Sequence, residues 1–193
     1  MVTPAVTKPI TVEDIIATDG LDEYKNKEIV EGVWVEKYKD EMMSIAHGSL
    51  GVRIIFALHG HVNTHQLGEV YMADTIFILH VDENGVRTMR KPDTAFVSTS
   101  RVKPPESGYY FQAPDLAVEI ISPSERIGIV RGKLRDYFKY GTRQVWLFYP
   151  YDKEIAVYHS LDDYKTYRVG DSLLGGDLLP GFALDVSALF GEA

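Results

Sequence analysis

Apolar residues recur along this chain at two different periods, and the switches between them lay out its elements. Thr11-Val12-Glu13-Asp14 reads as a helix start, a hydroxyl cap followed by acids in the first turn. Lys27 to Glu36 alternates around Gly32, the pattern of a β-hairpin. From Ser44 to Val62 the residues Ile45, Leu50, Ile54, Ile55, Leu58 and Val62 fall at helical spacing and predict a long amphipathic helix. Two strands are expected next, Glu69 to Val81 and Val86 to Ser98, joined through Asp82-Glu83-Asn84-Gly85. Asn84 and Gly85 both tolerate the positive φ of a tight turn. Pro104, Pro105, Gly108 and Pro114 make residues 99–114 an irregular connection.

Asp115 to Ser122 has the near-continuous apolar content of a buried central strand. Ser122-Pro123-Ser124-Glu125 then fits a capping box with proline at the first helical position. That helix should run to Tyr140, with Gly141 as its stop. Gln144 to Tyr149 and Glu154 to His159 form a further strand pair, and a short helix closes the tail after Leu179-Pro180-Gly181-Phe182. No internal repeat or second domain is visible, so residues 1–193 read as a single domain.

Composition narrows the classes. With 193 residues, 45% of them hydrophobic, the chain suits one compact domain. No apolar run approaches the roughly 20 residues that cross a bilayer. Met1 to Ile10 lacks the basic start and apolar centre of a secretory signal. The absence of cysteine excludes disulfides, thiolate metal sites and a cysteine nucleophile. A cytoplasmic protein with no membrane contact is expected.

The formal net charge of −8 argues against a protein that coats nucleic acid nonspecifically, but the charge is uneven. Residues 87–103 hold Arg87, Arg90, Lys91, Arg101 and Lys103 against Asp93 alone, and residues 126–143 hold Arg126, Arg131, Lys133, Arg135, Lys139 and Arg143 against Asp136 alone. A basic rim around an acidic centre would suit cleavage of a polyanion. A solvated helix face explains the same charges nearly as well.

Candidate chemistry centres on three residues. In the strand at 115–121, odd positions put Asp115, Ala117, Glu119 and Ile121 on one face, with Leu116, Val118 and Ile120 on the other. A glutamate in such company needs a metal, a lysine, a raised pKa or a buried arginine to compensate it. Asp93 follows Pro92 at a strand start, with Ala95 and Val97 on its face. Lys133 lies on the following helix beside Val130, Leu134 and Phe138, with Tyr137 four residues on, and a lysine there ordinarily snorkels to water. Two carboxylates and an ammonium in strand–strand–helix order could hold a hard divalent cation and steady a water beside it.

The combined pattern resembles the Uma-type restriction-endonuclease family, a bacterial group within the PD-(D/E)-x-K nuclease superfamily. It is carried by Lys91-Pro92-Asp93-Thr94-Ala95-Phe96-Val97 and by Ala113-Pro114-Asp115-Leu116-Ala117-Val118-Glu119-Ile120-Ile121-Ser122-Pro123-Ser124. Lys133, Tyr137, Gly141 and Val145-Trp146-Leu147 extend it, as do Ile29-Val30-Glu31-Gly32 and Leu179-Pro180-Gly181-Phe182. The resemblance implies an α/β fold: a restriction-endonuclease-like mixed central sheet flanked by helices, with an N-terminal β-hairpin extension and a nuclease core at about 44–160. It implies Asp93 and Glu119 as metal ligands. The superfamily's lysine, two residues after the acid, is replaced here by Ile121, so the resemblance passes the role to Lys133. Gln144, where the family commonly has glutamate, and Tyr149-Pro150, where it often has Asp-Pro, depart from the pattern.

Glu31, His47 and Asp115 are secondary candidates. Glu31 and His47 match family positions that approach the site. Asp115 shares a face with Glu119, but four residues of strand separate them by about 13 Å, which favours a rim or structural role. His61 and His65 have i, i+4 spacing without the intervening glutamate of a metalloprotease, and read as surface residues together with His59. The expected activity is Mg²⁺- or Mn²⁺-dependent hydrolysis of phosphodiester bonds in DNA, with RNA or a small phosphate ester as other substrates. A catalytically silent nucleic-acid-binding or interaction module on the same fold is the alternative. A homodimer would suit double-strand cutting, and Tyr109, Tyr110 and Phe111 could supply a self-association patch.

Overall fold

The structure, a computed structural model, describes residues 8–37, 45–104 and 108–190. In chain order the elements are α1 (Val12–Thr18), α2 (Asp22–Lys25), β1 (Lys27–Val30), β2 (Val33–Glu36), α3 (Ile45–His65), β3 (Gly68–Met72), β4 (Phe77–Asp82), β5 (Gly85–Arg90) and β6 (Thr94–Ser98). They continue with β7 (Leu116–Ile120), α4 (Ile127–Lys139), β8 (Gln144–Tyr149), β9 (Glu154–Tyr158), β10 (Tyr164–Arg168), β11 (Ser172–Leu174), β12 (Ala183–Asp185) and α5 (Val186–Phe190). A mixed sheet in the order β10-β9-β8-β7-β6-β3 forms the centre, antiparallel throughout except where β7 lies parallel to β8. That parallel pair needs a crossover, and α4 supplies it. A second sheet, β2-β1-β5-β4, stands beside the first, and β11 pairs with β12.

The period-two reading of β7 holds in three dimensions. Leu116, Val118 and Ile120 join Leu50, Ile54, Leu58 and Val62 of α3 in one core, while Ala117 and Ile121 join Val130, Leu134 and Tyr137 of α4 in another. Helices thus cover both faces of the central strands, which is why those strands read as almost wholly apolar. A third cluster, including Ile15, Ile29, Ile78, Val86 and Met89, underlies the smaller sheet.

Several boundaries differ from the sequence reading. Each of the two strands expected at 69–81 and 86–98 is broken in the middle, and its halves enter different sheets. In the first, Asp74 takes a left-handed φ of 70°, and a turn bond runs from the Thr75 amide to the Met72 carbonyl. In the second, Pro92 has no N–H for a ladder and restricts the residue before it. The break places Asp93 at the junction of the two sheets. The β4–β5 turn is centred on Glu83-Asn84, with only Gly85 at positive φ, because the Asn84 amide is drawn to Asp82 Oδ1 at 2.7 Å. The helix expected from Pro123 begins at Ile127 with Arg126 as a cap that makes no side-chain bond. Ser122 to Glu125 forms a turn instead, which sends Glu125 inward to Lys133. Strands β10, β11 and β12 were not foreseen, their alternation being short and mostly exposed. Among the described residues, no helix is long and apolar enough to cross a membrane.

Candidate active site

Asp93 is fixed by backbone before its chemistry is considered. Its amide donates to the Val118 carbonyl at 3.0 Å, and its Oδ2 accepts the Ile120 amide at 2.7 Å. Those bonds straddle Glu119, the fourth of the five residues of β7. Glu119 is 1% exposed; its Oε2 lies 2.9 Å from Lys133 Nζ, and its Oε1 accepts the Tyr137 hydroxyl at 2.7 Å. Lys133 and Tyr137 stand one helical turn apart on α4, so both reach the same carboxylate. The ammonium of Lys133 does not snorkel. It is buried between Glu119 and Glu125, 3.0 Å from Glu125 Oε1. Asp93, Glu119 and Lys133 are therefore brought into one buried cluster.

The secondary candidates separate. His47 is half-buried at the start of α3, with Nε2 3.9 Å from Asp93 Oδ2, so it borders the cluster. Asp115 does not. It accepts the Ser98 amide at 2.8 Å and pairs with Arg101 at 2.6 Å, clasping the connection between β6 and β7. Glu31 sits exposed in the β1–β2 turn at φ 52°. The acid that β1 does deliver is Glu28, 1% exposed, which accepts from Arg90 at 2.6 Å and from the Lys91 amide at 2.9 Å.

Sequence reasoning also missed Lys37, Arg90, Glu125 and Asp136. Lys37, just past β2, places its buried Nζ 2.8 Å from Asp93 Oδ1. Arg90 bridges Glu28 and Asp136. The alternation that predicts the hairpin carries no signal that Glu28 would be buried against Arg90, which α4 holds through Asp136. The expected basic rim is partly consumed in this way. Arg90 and Lys91 are buried, Arg87 lies beside Asp82 and Arg101 is held by Asp115, which leaves Lys103, Arg126, Arg131, Arg135, Lys139 and Arg143 exposed.

Electrostatics follows from this inventory. Among the described residues, five carboxylates (Glu28, Asp93, Glu119, Glu125, Asp136) face three cations (Lys37, Arg90, Lys133). Burial pushes the Glu119 carboxyl above its ordinary pKa, and the charges of Asp93 and Glu28 add to the effect against Lys133 and Lys37. Glu28 goes the other way. Burial raises it, but Arg90, Lys133, Lys37 and the Lys91 amide together hold it below the usual range. Both lysines are raised: burial opposes their charge, and Asp93 and Glu119 around Lys37, with Glu119, Glu28 and Glu125 around Lys133, outweigh it. They remain ammonium ions at neutral pH. Burial lowers His47, which stays neutral there.

The donor set fits a hard divalent cation. Carboxylate oxygens are the ligands such ions take, and each retains lone pairs beyond its present bonds. Glu125 Oε1 is buried beside Lys133 without hydrogen-bond geometry, so acceptor capacity is left over. Among the described residues no three His, Asp or Glu side chains converge at ligand spacing. Asp93 and Glu119 could each offer a carboxylate oxygen to such an ion.

Comparison with known proteins agrees with this architecture. The fold is similar to the crystal structure of a protein from Anabaena variabilis ATCC 29413 described as a "putative nuclease belonging to DUF820", with a TM-score of 0.75 and 18% identity over 94% of this chain and 98% of that one. No curated protein matches the chain. The family model Uma2, described as "Putative restriction endonuclease", matches residues 21–187. With that match spanning most of its length, over a mixed sheet flanked by helices and a buried acid–lysine cluster, the chain belongs to the Uma2 family.

Proposed function

We propose that this protein is a metal-dependent endonuclease that hydrolyses phosphodiester bonds in DNA, using Mg²⁺ or Mn²⁺ held by Asp93 and Glu119. The observation that carries the reading is the buried cluster in which both acids are ion-paired to lysines and, among the described residues, acids outnumber cations. Membership in a restriction-endonuclease family supports it. When bound, the metal would act as a Lewis acid on the scissile phosphate.

The protein's own groups would set the geometry. Tyr137 and the Ile120 amide fix the two carboxylates by hydrogen bonds that need no reorganisation during reaction. Lys133 and Lys37 stay protonated, so their task is to orient water and offset charge building on phosphorus rather than to remove a proton. Neutral His47, 3.9 Å from Asp93, would accept a hydrogen bond from water at the edge of the cluster. The exposed arginines of α4 would contact phosphates, which positions DNA without reading its sequence.

The test is relaxation of supercoiled plasmid with Mg²⁺, Mn²⁺ or chelator, for wild type and Lys133→Ala. Metal-stimulated nicking in wild type, abolished by chelator and reduced at least about a hundredfold in the variant, is expected, in line with loss of a transition-state charge partner. Salt-sensitive DNA binding without turnover would favour the silent binding module.

A further inference from the structure

Outside the acidic cluster, a cavity of about 280 Å³ opens between α1, α2 and the smaller sheet. One of its lining groups is unusual. Lys91 is 7% exposed, yet among the described residues its ammonium has only the Tyr24 and Lys25 carbonyls, at 3.4 and 3.3 Å. Among the described residues it has no carboxylate within 4.0 Å. Three donors on a buried cation therefore meet two long contacts.

The rest of the lining restricts what could complete Lys91. Asp19, Asp22 and Asp74 lie at the exposed end with Lys25, while Trp34, Ile76 and Met89 form apolar wall. A phosphate or carboxylate would satisfy Lys91 but confront three aspartates. An organic cation would suit the aspartates but meet Lys91, and Lys27 already lies over the Tyr24 ring at 4.8 Å. A flat, neutral heterocycle with acceptors on one edge and donors on the next satisfies both ends. Guanine has that distribution: O6 and N7 accept from lysine, while N1–H and the N2 amino group donate to a carboxylate. The indole of Trp34, T-shaped with Tyr24 at 5.0 Å, lines the cavity and would stack on the base.

We propose that this cavity binds a guanine base through Lys91, Trp34 and an aspartate of its exposed end. The source is a free nucleoside or a base turned out of a strand. This site is separate from the cleavage reading and does not depend on it.

The test titrates the full chain in chelator, where no metal-dependent turnover can occur, with guanosine, adenosine and a short single strand containing one guanine. Trp34 fluorescence reports binding, since the second tryptophan, Trp146, is buried in the α3-side core. Saturable quenching by guanosine is expected, with adenosine weaker by roughly tenfold or more, the scale of discrimination that a bidentate pair to a base provides. Lys91→Met and, on the surface, Asp74→Asn should each weaken guanosine by a similar factor, and Trp34→Phe should remove the signal. Tighter binding of the strand would identify a nucleic-acid base as the ligand, and equal binding a free nucleoside. No saturable response, equal responses to guanosine and adenosine, or unchanged affinity in both Lys91→Met and Asp74→Asn would overturn the assignment.

Discussion

Single residues carry the chemistry, and the unexpected one is Lys37. It arrives from the small sheet and meets Asp93 opposite the lysine that the sequence singled out. Removing one member of a buried ion pair typically costs about 3–5 kcal/mol, because the partner charge is left uncompensated. Lys37→Met should therefore lower unfolding free energy by about that amount in urea titrations, and reduce cleavage at least as much as Lys133→Ala. Glu28 gives a prediction with a definite pH sign. Its folded pKa is held below the unfolded value of 4.5, so the stability it contributes is present above about pH 4.5 and is lost as pH falls through the folded pKa. Glu28→Gln should lose about 3 kcal/mol at neutral pH and show a flatter decline below pH 4.5 than wild type, as measured by chemical denaturation across pH.

At the scale of elements, the places where the chain changes sheet matter most. Asp93 was legible as an acid after proline, but the breaks at Asp74 and Pro92 were not, because β-rich segments on both sides made each strand read as continuous. The same blindness hid Glu28. A hairpin that alternates cleanly gives no sign that its polar face will be covered by a helix and an arginine from elsewhere. Glu119 and the two-faced burial of β7 were legible, since period-two alternation survives when both faces are apolar. The turn at Gly85 offers a check. Its φ is 88°, and an added Cβ would stand 2.3 Å from the Ile10 carbonyl, whose bond to the Val86 amide ties the N-terminal arm to β5. Gly85→Ala should destabilise by about 1–3 kcal/mol, the cost of a strained backbone position. Thermal unfolding should show a fall of about 2–4 °C per kcal/mol for a chain this size.

For the whole molecule, charge distribution decides how a protein of net charge −8 could approach a polyanion. Nearly half of the basic residues expected at the rim are spent inside or in ion pairs. What remains includes a ridge on α4, where Arg131, Arg135 and Lys139 follow one another at four-residue spacing and are all exposed. If DNA lies along it, reversing all three to glutamate should weaken binding strongly at low salt. The slope of log affinity against log salt should fall by about three units, close to one for each phosphate that is no longer neutralised. Fluorescence anisotropy on a labelled duplex at several salt concentrations would measure it, and an unchanged slope would move the DNA track elsewhere.

The most direct measurement is calorimetric titration of Mn²⁺ and Mg²⁺ into the wild-type protein and into Asp93→Asn and Glu119→Gln, each first shown to be folded by circular dichroism. One bound ion in wild type, with affinity falling at least about tenfold in either variant through loss of a ligand, is the predicted result. Equal metal affinity in all three proteins would contradict the account.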